Sequence, residues 1–81
     1  MIAELYQDVI LTQDVPERGL VAGDVGVVVD RHEAPGKEAG VSVEFFDMTG
    51  RTVAVVTLPE HAFRSPTPSD RPSARHLVGA D

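Results

Sequence analysis

Gly19, Gly23 and Gly26 stand four and three residues apart and run directly into Val27, Val28 and Val29. Glycine adopts positive φ without steric cost. Glycines so spaced before a β-branched run predict a tight turn that delivers the chain into a sharply bent strand, the entry to a small β-barrel. Gly26 is the expected place of the bend or bulge, since a glycine inside a strand marks one or the other. The pattern speaks to the fold and hardly at all to chemistry.

The rest of the chain supplies the other strands. Residues 8–12 cluster aliphatic and β-branched side chains and read as a first strand, after a leader whose Leu5 or Tyr6 is expected to cover one end of the barrel. Residues 13–19 form a loop containing Pro16, and Leu20 reads as an apolar plug into the core. The second strand runs over 24–32, and residues 34–40 make a polar hairpin loop. Val41, Val43 and Phe45 then alternate inward against Ser42 and Glu44 outward. Asp47 and Gly50 bracket a type I turn with Gly50 left-handed, leading into a strand over 52–58. Pro59 ends that strand and opens one helical turn, and residues 63–65 form a last short strand.

Length and charge bound the class. Eighty-one residues without cysteine make one domain with no disulfide or thiolate staple. Small unstapled domains often gain stability by association, so a homo-oligomer is expected. Residues 1–65 hold eleven acids and five Lys or Arg, so the net charge of −6 lies entirely in the expected barrel. The basic residues are scattered, which disfavours nucleic acid as a partner. No apolar run nears the roughly 20 residues of a membrane span, and residues 1–6 lack a signal-peptide pattern; the expected location is cytoplasmic, with no membrane partner. Residues 66–81 open with three prolines over 66–72 and hold little to bury, so a disordered tail is expected there.

The expected fold is therefore all-β: a five-stranded SH3-like barrel over 1–65 with a disordered tail over 66–81. An OB-fold or an open β-meander are the alternatives, the former usually needing a longer helix between its third and fourth strands. The Gly23-Asp24-Val25-Gly26-Val27-Val28 turn, the Val43-Glu44-Phe45 strand and the run over 52–58 resemble the small bacterial domain-of-unknown-function family 4926, from Asp8 to Arg64. The Gly-Asp-x-Gly-x-Val turn is also similar to KOW-type barrels and to the SH3-like domain of nitrile hydratase β subunits. The family resemblance implies an SH3-like barrel, often encoded in loci that look like toxin–immunity or mobile-element cassettes, with no catalytic residue to transfer. The tail departs from the family pattern, which usually stops just after the last strand.

No chemical constellation emerges, so no catalytic residue, metal or cofactor is expected. His32 beside Glu33, and His61, are the nearest approach to a ligand set, but they lack metal-binding spacing. No serine lies in a nucleophile elbow, and the glycines around Gly23 precede a strand rather than a helix, so no helix terminus awaits a phosphate. Asp24 reads as a cap on turn amides. Phe46 is different, because Phe45 takes the inward slot and leaves Phe46 outward. Phe46, with Val56, Leu58 and Glu44, is the expected interface. The expected function is a non-enzymatic module that binds a protein or itself, with the immunity-type partner of a toxin as its narrower form. An accessory subunit of a metalloenzyme, nitrile hydratase-like, and a purely structural oligomer are the alternatives.

Overall fold

The computed structural model describes residues 3–77. Five strands form in chain order: β1 (Asp8–Leu11), β2 (Val25–His32), β3 (Gly40–Phe46), β4 (Thr52–Pro59) and β5 (Phe63–Arg64). All pairings are antiparallel, and the sheet order is β4-β3-β2-β1-β5. The last strand thus returns to pair with the first, leaving β4 and β5 as the two edges of a curled, SH3-like half-barrel. Two 3-10 turns, Pro16–Arg18 and Glu60–Ala62, replace longer helices. No helix among the described residues is long and apolar enough to cross a membrane.

The core fills the concave side. Val9, Leu11, Val28, Val41, Val43 and Phe45 are almost wholly buried, joined by Leu20, Ala54, Val56, Ala62 and Phe63. Each larger aliphatic or aromatic side chain so buried contributes roughly 1.5–3 kcal/mol. Leu20 plugs the core because its loop folds back on itself, with Val15 and Leu20 exchanging backbone hydrogen bonds at 2.9 and 3.2 Å. Gly19 ends the first 3-10 turn in the left-handed region at φ +69°.

Three local features differ from the sequence-based expectation. The bulge in β2 lies between Val28 and Asp30 rather than at Gly26. Val29 is the extra residue there, which explains how an unbroken valine run serves a strand that is only half buried. Gly26 answers a different need: a Cβ there would stand 2.5 Å from Val43 Cγ1 and 2.9 Å from the Glu44 carbonyl oxygen. In the leader, Leu5 and Tyr6 remain exposed and Ala3 is the buried residue. The Ala3 amide donates to Glu60 Oε2 at 2.8 Å, and Arg31 binds the same carboxylate, so this charge cluster holds the leader against the second 3-10 turn. Finally, Ser42 lies on the outer face but is covered, flanked by Thr57 and His32.

Candidate interaction surface

The hairpin joining β3 to β4 sets the chemistry of the outer face. Asp47 Oδ1 accepts hydrogen bonds from the Thr49 hydroxyl at 2.7 Å and from the Thr49 and Arg51 amides at 2.8 and 3.0 Å. These bonds hold the Asp47 carboxyl below the usual carboxylate range. The Gly50 amide donates to the Asp47 carbonyl at 3.1 Å, and Gly50 sits at φ +88°. The turn forces a register shift: Phe45 pairs with Ala54 while Phe46 pairs with Thr52. Val53 is therefore the extra, bulged residue.

That shift decides which β4 side chains face out. Partners across an antiparallel pair share a face. Val43 pairs with Val56 and Val41 with Leu58, so Val56 and Leu58 turn inward with their buried partners. Val56 is 6% exposed and Leu58 packs against the core. Both were expected in the interface, and the structure corrects this. Val53 and Val55, at 54% and 44% exposure, take their place outside. Phe46 is outward as expected, at 43%. Glu44 lies beside it on the outer face, opposite Val55, and accepts a hydrogen bond from the Thr52 hydroxyl.

Val25 and Met48 complete the patch. Val25 precedes Gly26, which pairs with Phe45, so Val25 stands beside Phe46 across the β2–β3 seam. Val25, Phe46, Met48 and Val53 line one side of a groove of about 850 Å³. The other side is made by the C-terminal tail, from Pro66 to Leu77. This segment forms no helix or strand but is tied at two places. Arg64 grips Asp70 through both nitrogens at 2.9 and 2.7 Å, and Arg75 grips Asp24 in the same bidentate manner at 2.9 and 2.6 Å. Asp24 also accepts the Val21 amide at 3.0 Å, which is its expected capping role. Partial burial works against ionisation of Asp24, but Arg75 and the Val21 amide outweigh it and lower its pKa. Asp70 is held well below the usual range by Arg64 and by the Thr67 amide.

The polar clusters do not assemble a reaction centre. His32 Nε2 lies 3.0 Å from Ser42 Oγ and 3.8 Å from Asp30 Oδ2. Serine and carboxylate thus approach the same ring nitrogen, whereas a triad needs them on opposite ones. Ser42 is buried, and its hydroxyl lies 2.6 Å from that of Thr57. His61 Nδ1 pairs with Glu38 at 2.8 Å, on a different element from His32. Among the described residues no group of three or more His, Cys, Asp or Glu is placed to hold a metal.

Arg75 and Asp24 are 51 residues apart, so no local sequence pattern announces their contact. One local signal was there to be read: Thr67 and Asp70 have the spacing of a capping box, and the Thr67 amide donates to Asp70 at 2.7 Å.

A family model described as a domain of unknown function, DUF4926, matches residues 5–65. The chain belongs to this family. The match spans the five strands and ends where the tail begins, so the DUF4926 barrel and the tail that flanks its groove are distinct parts of the sequence. No curated protein and no solved structure matches the chain.

Proposed function

We propose that this DUF4926 barrel is a non-enzymatic protein-interaction module that docks another protein chain on the outer face of β2, β3 and β4. One observation supports the reading above the others: Phe46, Val53, Val55, Val25 and Met48 stay 43–91% exposed on one continuous side of the sheet. Scattered exposed apolar residues are ordinary, but a contiguous patch in a domain with so small a core favours burial against a partner. The net charge of −6 favours a basic protein surface and speaks against nucleic acid, because unlike charges speed encounter. A narrower form of the same reading is an immunity-type partner of a toxin, acting in the cytoplasm, where an acidic barrel would occupy a basic cleft.

Sedimentation velocity of the wild type and Phe46→Ala, with pull-down of candidate partners, tests the reading. Association, with itself or with a partner, should weaken by more than about 1 kcal/mol in Phe46→Ala, as for a buried interface anchor. A strictly monomeric wild type that captures no protein and instead binds duplex DNA tightly at physiological salt would overturn it.

A further inference from the structure

The groove beside Phe46 has the C-terminal segment as one of its walls. Residues 65–77 leave β5 at Arg64, turn at Thr67–Asp70, pass the apolar side chains of β2–β4, and reach the start of β2, where Arg75 meets Asp24. Arg75 Nη2 also donates to the Gly19 carbonyl at 2.9 Å, so one guanidinium reads both a carboxylate and a turn. Beyond the Thr67–Asp70 turn the segment forms no helix or strand and contains Pro72, and proline-containing segments lose little entropy on docking. None of its side chains joins the buried core, whose last residue is Phe63. Both anchoring pairs are solvent-accessible, with Arg64 and Arg75 side chains 47% and 39% exposed. Ion pairs of this kind each contribute little and are screened by salt. A segment fixed this way is seated and also displaceable.

We propose that residues 65–77 form a strap that caps Asp24, in cis, at one end of the groove in which the barrel takes an extended, arginine-bearing segment of a partner chain. The proposal rests on the interaction-module reading and names the chemistry of its ligand. The strap is the template: proline to hold the chain extended, an arginine to reach Asp24, and a small apolar residue such as Ala74 between them. An acidic barrel suits such a ligand, and removal of the strap would free Asp24 to receive it.

Two measurements test this. The chain has no cysteine, so a nitroxide on Ala74→Cys in the full chain is the only label. At low salt it should broaden the NMR signals of Val25, Phe46 and Val53, and the broadening should fade in about 1 M salt, where the Debye length is near 3 Å. Absence of broadening at low salt would overturn the strap. The second measurement uses a chain ending at Ser65, which retains every buried core residue, titrated with a synthetic peptide of residues 66–77. Shifts at Val25, Phe46 and Asp24 are expected at peptide concentrations up to the millimolar range, since a short tether supplies an effective concentration of about that order. The Arg75→Gln peptide should bind a few-fold more weakly, the loss of one exposed bidentate ion pair, and the full chain should resist the wild-type peptide. A folded, truncated chain whose signals do not move would overturn the ligand assignment. If the peptide binds as expected while no protein is found to dock through Phe46, the interaction-module reading fails and the strap stands.

Discussion

At the scale of single residues, the backbone rather than the side chain decides several positions. Gly50 at φ +88° occupies left-handed space that costs an L-residue roughly 1–2 kcal/mol, so Gly50→Val should lower stability by about that much in a denaturant melt. Tyr6 is the converse case: it holds φ +66° while 76% exposed, so its ring offers little packing in return. Tyr6→Gly should therefore leave stability unchanged or raise it by up to about 1 kcal/mol, whereas a marked loss would show that the ring packs in solution. Asp47 adds a pH dependence. Its folded pKa lies below its unfolded value, so its contribution is present above the ordinary Asp range and is lost as pH falls through the folded pKa. Asp47→Asn should flatten the acid limb of the stability–pH curve, and an unchanged limb would contradict the turn network as its source.

At the scale of strands and turns, the β3–β4 hairpin shows both how much of the fold was legible and where legibility stopped. Alternation in Val41, Val43 and Phe45 places them in the core, and Asp47 with Gly50 marks the turn; all five hold. The valines of β4 did not reveal their faces, because Val53, Val55 and Val56 are chemically alike and only the register separates them. One bulged residue reverses the facing of a strand whose side chains repeat every two positions. The same limit moved the β2 bulge from Gly26 to Val29, since valines on both sides of a bulge conceal it. Leu5, Tyr6 and the contact between Arg75 and Asp24 were hidden for another reason: they depend on tertiary placement, not on local pattern. The register makes a sharp prediction. Val56→Ala should cost about 2 kcal/mol as a core truncation, while Val55→Ala, at 44% exposure, should cost well under 1 kcal/mol. Equal costs in parallel thermal melts would contradict the pairing of Val43 with Val56.

At the scale of the whole molecule, the fold is separable from the tail that flanks its groove. Since the core closes at Phe63 and the tail is anchored by exposed ion pairs, truncation after Ser65 should leave the thermal midpoint nearly unchanged. A drop of many degrees would mean that apolar tail side chains dock. The barrel itself offers no assembled catalytic set among the described residues, but it presents an acidic sheet with an aromatic and three valines on one side. The most direct test of that surface places a photo-crosslinking phenylalanine at position 46 in the full chain, irradiates it in living cells, and compares it with the same probe at Tyr6, which is exposed elsewhere. A discrete protein adduct, a second copy or another chain, that forms from position 46, is absent from position 6 and is lost on Val53→Asp is the predicted result. No adduct from position 46, or the same adducts from both positions, would contradict the β2–β4 face as the surface through which this protein acts.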